Sequence, residues 1–452
     1  MGIYFITVRS VTVGQQAENV MRKGGISCSL QRTPKWMEEQ GCGYCLRLRT
    51  ADVTPAVQLL RVAQVPFRRV YEQGSDGEVG GAAMIYLDNG ATSMHKPAAV
   101  GRAMLDALKS CANPGRSGHD ASMKAANVVY HCRELAAGMF DCDPDRVVFT
   151  SNCTHGLNIA VRTLVKPGSR VLISGFEHNA VTRPLHALGA NIRVAGRKLF
   201  DWDDTLEDFF QALREGADAA VFTHVSNVFG YILPVEQMAA LCRERGVPFV
   251  IDAAQSAGAL PVSLKGLGAD FIAMPGHKGL LGPQGTGLLL CAKLPRPLLY
   301  GGTGSESAAQ DMPGYTPERA EAGTLNVPGI AGLAAGIQYL KQEGIEAIRA
   351  RERKQTEFCA RMLNKMGITV FTGPHQAGTL SFLPEMDCEI AAQILARQNV
   401  AVRAGLHCAP LAHESAGTLS TGTVRISFGH DAGQTQSREF LKAAAKLMPA
   451  NL

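Results

Sequence analysis

No stretch of this 452-residue chain offers about 20 apolar residues free of proline, histidine and charge, so no membrane-spanning helix is expected. Its first residues, Met1-Gly2-Ile3-Tyr4-Phe5-Ile6, lack the basic start and long apolar core of a secretory signal. Ile6 also stands where a myristoylation signal needs Ser or Thr. There is no large excess of either charge: 45 Lys and Arg against 40 Asp and Glu leave +5, spread along the chain. The longest basic cluster, Arg349, Arg351, Arg353 and Lys354, is broken by Glu352 and reads as a solvated helix face rather than a nucleic-acid surface. Internal repeats and low-complexity tracts are absent. With 46% hydrophobic and 19% charged residues, general disorder is excluded. What remains is a cytoplasmic globular chain with room for two to four domains and a core that needs no staple. Its 12 Cys are then thiols, some buried and some reactive, rather than a disulfide framework.

Short apolar runs at 147–150, 170–173, 219–223, 249–251, 270–273 and 287–290 alternate with helical patterns. Near-continuous apolar strands suit a sheet covered on both faces, and the alternation predicts a mostly parallel α/β sheet. This large domain spans 84–330. A smaller α+β domain, 331–452, follows a Gly/Pro-rich stretch at 301–329. It begins with helical patterns over 330–366 and has strands near 369–371, 380–383, 400–403 and 424–428. Within it, Cys388, Ala391 and Leu395 share one helix face. Residues 1–75 read as a third unit of order βαββαβ, a ferredoxin-like plan, with 76–83 as its linker.

The strongest chemical signal is Asp252-Ala253-Ala254-Gln255 followed by Pro275-Gly276-His277-Lys278. Asp252 falls at the carboxyl end of an apolar strand and Lys278 just past the next, on the edge where open α/β sheets bind ligands. A carboxylate that keeps a pyridine nitrogen protonated and a lysine that forms a Schiff base are what pyridoxal 5'-phosphate requires. Cys153-Thr154-His155 follows a strand and opens a helix, whose first amides and Thr154 hydroxyl suit a phosphate. Glu177-His178 follows another strand, placing His178 to stack on a flat ring.

Together with Tyr86-Leu87-Asp88-Asn89, these segments resemble the class V aminotransferase family, and within it the NifS/SufS-type cysteine desulfurases, over about 84–448. The resemblance implies the type I PLP-dependent transferase fold, a homodimer and the following roles. Lys278 is the Schiff-base lysine, Asp252 pairs with the pyridine nitrogen, Gln255 bonds the ring hydroxyl oxygen, and His178 stacks. Cys153, Thr154 and His277 belong to the cofactor site, and Asn227 lies beside the ring. Thr324, in Glu321-Ala322-Gly323-Thr324, reaches the phosphate across a dimer interface. The loop Arg403-Ala404-Gly405-Leu406-His407-Cys408-Ala409-Pro410 resembles the catalytic cysteine loop, making Cys408 the nucleophile. Its His and Arg neighbours are compatible with a low-pKa thiolate. Arg425 matches the arginine for the substrate carboxylate, with Arg403 a second candidate, and His119 matches a substrate-side loop. The substrate is then L-cysteine or L-selenocysteine, with a sulfur or selenium acceptor protein as partner. Selenocysteine lyase and a non-catalytic carrier scaffold stand as the alternatives.

Three positions depart from the family pattern. Pro275 replaces a common phosphate-binding Ser, His155 a Glu, and Cys153 an Ala or Thr. The amino-terminal unit carries Cys42-Gly43-Tyr44-Cys45 and resembles a sulfur or selenium carrier-like domain. Such a pair is redox-active, metal-binding, a persulfide acceptor or structural. Zinc needs about four ligands and only Cys28 lies close in sequence, so no metal site is expected and sulfur relay is the preferred reading.

Overall fold

The apolar runs between 147 and 291 assemble into one seven-stranded sheet in the computed structural model, which describes residues 2–8, 10–33, 43–50, 53–67, 70–73, 84–115 and 117–448. Its order is Val147–Thr150, Gly287–Cys291, Phe271–Pro275, Phe249–Asp252, Ala219–Thr223, Arg170–Ser174 and Asn191–Ala195. Six strands run one way. Gly287–Cys291 runs antiparallel to both neighbours. Alternate residues feed two separate cores. Phe149, Phe222, Ile251 and Met274 enter one, while Val148, Val221, Val250 and Ala273 enter the other. That period of two is why these strands carry no polar face. Each large side chain so buried contributes about 1.5–3 kcal/mol.

The edge strand Asn191–Ala195 was not expected, because its polar and apolar residues alternate and most of it is exposed. A second sheet runs Thr369–Phe371, Thr379–Leu383, Thr423–Ser427, Arg403–Gly405, all antiparallel. The single strand expected at 400–403 is two. Val400–Ala401 pairs in parallel with Ile85–Tyr86, then Arg403–Gly405 pairs with Thr423–Ser427. Leu87 is consequently stitched on both sides, its N–H donating to Ala401 O (2.9 Å) and its carbonyl accepting from Ser427 N (2.7 Å). This brings Asp88 to Arg425. The helices Val327–Glu343 and Ile345–Lys365 realise the pattern read over 330–366.

Residues Met84–Glu385 with Val400–Leu452 form one compact unit, and Met1–Ala83 with Met386–Asn399 the other. In the latter, the strands lie in the order Cys28–Arg32, Tyr44–Thr50, Gly2–Val8, Val70–Gln73, antiparallel throughout. The helices Val11–Lys23 and Thr54–Val62 fill the two α positions of the βαββαβ order. Ile6, Leu46 and Leu48 pack with Ala17, Met21 and Leu60, while Ile3, Phe5 and Cys45 point to the opposite face. Cys388, Ala391 and Leu395 are buried together along the helix Cys388–Arg397, as their spacing implied. Cys42 and the linker 76–83 lie outside the described residues. Among the described residues no helix is long and apolar enough to cross a membrane, and no group of three or more His, Cys, Asp and Glu is placed to hold a metal ion.

Candidate active site

Asp252 is the last residue of a fully buried strand and is itself 2% exposed. Its Oδ1 accepts from Ala254 N (2.8 Å) and Cys153 Sγ (3.3 Å). Burial pushes the carboxyl up, and these hydrogen bonds with the Lys278 ammonium oppose that push. Lys278 follows the adjacent strand Phe271–Pro275. Burial and the neighbouring Arg425 guanidinium lower its ammonium below the usual value, against the pull of Asp252. A less charged amine is a better nucleophile toward a carbonyl. Both residues line a cavity of about 240 Å³ with Cys153, Thr154, His178, Asn227, Gln255, His277, Arg403 and Arg425. Ten of the residues singled out in the sequence therefore meet in one place.

His178 caps the helix Asn179–Ala187, its Nδ1 accepting from Ala180 N (3.0 Å). That bond leaves the ring proton on Nε2. Burial, helped by the positive Lys278, pulls His178 down to about 4, so the ring is neutral at physiological pH. The preceding Glu177 is wholly buried. Its Oε1 accepts from Ser174 Oγ (2.5 Å), Ser174 N (3.3 Å) and Thr223 N (2.8 Å), tying the His178 turn to two strand ends. Its Oε2 is buried with no partner among the described residues. Burial pushes Glu177 up to about 8, so it is largely protonated at neutral pH. The helix Cys153–Leu164 starts at the cavity wall, capped by Asn152 Oδ1 on His155 N (2.9 Å). The amides ahead of His155 have no acceptor within the helix. The His155 side chain is engaged locally, its Nδ1 accepting from Ser151 N (3.3 Å). The His277 carbonyl accepts from Ser93 N, Ser93 Oγ, Thr92 Oγ1 and Lys96 Nζ at 3.0–3.3 Å, which sews the Lys278 loop to the segment after Tyr86. Gln255 Nε2 donates to Gly90 O (2.9 Å).

Arg425 is 1% exposed and already engaged. Its Nη1 donates to Asn227 O (2.8 Å) and its Nη2 to Asp88 Oδ1 (2.5 Å), while Nε has no partner among the described residues. Asn227 Nδ2 donates to His407 O (2.8 Å), and its Oδ1 is likewise orphaned. Arg403 lines the same cavity with no ion pair among the described residues. Sequence reasoning quoted Asp88 without a role and passed over Glu177. The only signal for either was its place beside a recognised motif.

Cys408 is exposed and lies between Arg403–Gly405 and the helix Pro410–Ser415. It and His407 both hold left-handed backbone, at φ +57° and +50°. For non-glycine residues that is a strained choice, worth about 1–3 kcal/mol each. The Cys408 carbonyl accepts from Asn179 N (2.8 Å), which ties the loop to the His178 helix. His407 is buried and bonds through Nε2 with Thr423, and burial pulls its imidazole well below the usual value. It therefore brings no positive charge to Cys408, unlike the adjacent histidine pictured from sequence. Cys408, His119 and Thr324 do not line the cavity. His119 is exposed and caps the helix Asp120–Phe140. Thr324 lines a separate cavity of about 500 Å³ beside the buried Arg133–Glu321 ion pair. Cys45 is fully buried on the strand Tyr44–Thr50, its Sγ donating to Arg32 O at 3.7 Å.

Comparison with known proteins matches two families to different parts of the chain. The family described as "Aminotransferase class-V" matches residues 85–438, and the one described as "Putative Se/S carrier protein-like" matches residues 3–72. The chain is similar to the "Probable cysteine desulfurase" of Pyrococcus abyssi, 35% identical over 368 residues that cover 76% of this chain and 89% of the relative. It is similar to the "Probable cysteine desulfurase" of Methanothermobacter thermautotrophicus, 34% identical over 363 residues with the same coverage. Among solved structures, the apo cysteine desulfurase of Thermococcus onnurineus NA1 matches with a TM-score of 0.74 and 32% identity, over 80% of this chain and 94% of that one. The fold alone is shared with the cysteine desulfurase CsdA of Escherichia coli, at a TM-score of 0.70 and 24% identity over the same shares.

Proposed function

The chain belongs to the aminotransferase class-V family and has its type I α/β fold, and on that premise we propose that it is a pyridoxal phosphate-dependent cysteine desulfurase. The cavity suits that cofactor. Asp252 offers a buried carboxylate at a strand end, Lys278 an amine that lines the cavity, and His178 a neutral flat ring. Thr154 and the free amides of its helix suit a phosphate, with His277 beside them. Two orphaned polar atoms, Asn227 Oδ1 and Arg425 Nε, remain for ligand groups. When bound, pyridoxal phosphate supplies an aldehyde that condenses with amines and a ring that stores an electron pair.

The residues then divide the work. Lys278 holds the cofactor and moves the substrate Cα proton. Arg425 and Arg403 receive the substrate carboxylate, which must share Arg425 with Asp88. The Cys408 thiolate attacks the substrate sulfur. A sulfur–sulfur bond forms, the Cβ–S bond breaks with its electron pair returning to carbon, and carbon takes a proton. The products are L-alanine and a persulfide on Cys408. The observation that carries the reading is the convergence of Lys278, Asp252, His178 and Arg425 on one cavity, with the loop that bears the exposed Cys408 tied to the His178 helix by the Asn179 N–Cys408 O hydrogen bond. We take the protein to be a cytoplasmic homodimer, in which Thr324, remote from its own cavity, serves the partner's phosphate site and His119 the substrate entrance.

The persulfide then passes to the amino-terminal unit. Cys45 is fully buried, which leaves the acceptor role to Cys42. The carrier-like match also keeps L-selenocysteine as a second substrate. Alanine release from both amino acids by the intact protein tests the reading. Production from L-cysteine that is lost in Cys408→Ala is the expected result, and alanine from selenocysteine alone would make the protein a selenocysteine lyase. Cys42→Ser is expected to slow delivery to an added acceptor, and Cys45→Ser to leave it unchanged.

A further inference from the structure

Cys153 places a thiol against the buried carboxyl group of Asp252. It opens the helix Cys153–Leu164 directly after a buried strand, and Sγ lies 3.3 Å from Asp252 Oδ1. Both side chains are buried and both line the cavity of Lys278. Burial and the negative Asp252 push the Cys153 thiol well above its usual value. It is therefore an S–H donor at neutral pH and not a second sulfur nucleophile competing with Cys408. The thiol carries the proton, so it donates and the carboxyl oxygen accepts. Oδ1 now has two donors, Ala254 N and Cys153 Sγ, while Oδ2 has none among the described residues.

We propose that Cys153 is a positioning residue that acts through Asp252: its thiol holds Oδ1, stabilises the carboxylate and leaves Oδ2 as the acceptor for the protonated ring nitrogen of the cofactor. The inference rests on the function proposed above. Its chemical consequence has a definite sign. Removing the donor disfavours the ionised carboxylate, so the shared proton shifts from the ring nitrogen toward Asp252. With the cofactor bound, Asp252 would then give less support to the electron-withdrawing chemistry that the ring supplies. Substrate binding through Arg425 and Arg403 is not involved, so kcat should fall while KM stays.

The test compares Cys153→Ala and Cys153→Ser in the full chain. It reads the cofactor dissociation constant, the pH midpoint of the bound cofactor's visible absorption, and kcat and KM on L-cysteine. A hydrogen bond to a charged group predicts about a tenfold weaker cofactor affinity and about a tenfold lower kcat for Cys153→Ala, with KM within about twofold. The absorption midpoint should move in Cys153→Ala and return in Cys153→Ser, whose hydroxyl replaces the donor. If Cys153→Ala does not fold, Cys153→Val against Cys153→Thr makes the same comparison at matched shape. The proposal is overturned if the variant lacking a donor matches the parent in affinity and midpoint, or if the hydroxyl variant is as impaired as its apolar counterpart. A parent protein that cannot take up the cofactor would sink the function itself. A normal parent with silent variants would sink only this inference.

Discussion

Lys278 and Cys408 are held in opposite ways. The Lys278 loop follows a buried strand, its His277 carbonyl collects four donors, and its side chain lines the cavity. The Cys408 loop leaves a three-residue strand, places two successive residues in left-handed backbone and presents its thiol to solvent. In the proposed function the first arrangement holds the cofactor in a fixed place, where preorganised charges act strongly. In the same proposal the second leaves the nucleophile open to both a substrate and an external acceptor, and it accepts strain to do so. One half of the reaction needs rigidity and the other needs access.

Replacing each residue in turn should separate the halves. Lys278→Ala should abolish turnover, by about 10³-fold or more, and remove the visible absorption of bound cofactor. Cys408→Ala should lower L-cysteine turnover by about 10²-fold or more yet leave cofactor absorption intact. Loss of cofactor in the Cys408 variant would mean that the two loops are one structural unit, and the contrast would collapse.

A smaller effect should come from the shared arginine. Asp88→Asn leaves the Arg425 guanidinium without its anion, which favours an incoming carboxylate but loosens the fork. If Asp88 chiefly orients Arg425, KM for L-cysteine should rise about tenfold with kcat little changed. A fall in KM would show instead that Asp88 competes with substrate.

The smallest effect concerns Glu177 under the rigid half. Its folded value is about 8 because of burial, with Asp252 adding to the push, against about 4.3 for an unfolded Glu. Between those values the folded state holds a proton that the unfolded state has lost, so this group's contribution to stability falls as pH rises from about 4.3 to 8. Glu177→Gln does not titrate and keeps an acceptor for Ser174 and Thr223. Its Tm relative to the parent should therefore climb by a few °C between pH 5 and pH 8. A pH-independent difference would mean that Glu177 is ionised in the fold.

Legibility in the sequence follows the same divide. The buried strands announced themselves because both faces are apolar, and Asp252 and Lys278 could be placed because one ends such a strand and the other closely follows the next. Asn191–Ala195 was missed because an edge strand half in water looks like a loop. The break at Val402 was invisible because it depends on a change of partner strand, from Ile85–Tyr86 to Thr423–Ser427. Asp88 meets Arg425 across 337 residues, and Cys153 meets Asp252 across 99. A motif gives a residue its neighbourhood along the chain and says nothing about such partners. For the same reason the two cysteines of the amino-terminal motif looked equivalent, although strand alternation buries Cys45 with Ile3 and Phe5.

The central claim is that Cys408 takes the sulfur. Peptide mass spectrometry of the protein after a single turnover with L-cysteine, quenched before any acceptor is added, tests it directly. The account predicts one extra sulfur atom on the Cys408 peptide. An unmodified Cys408 together with released alanine, with the extra sulfur found on another cysteine or as elemental sulfur, would contradict it.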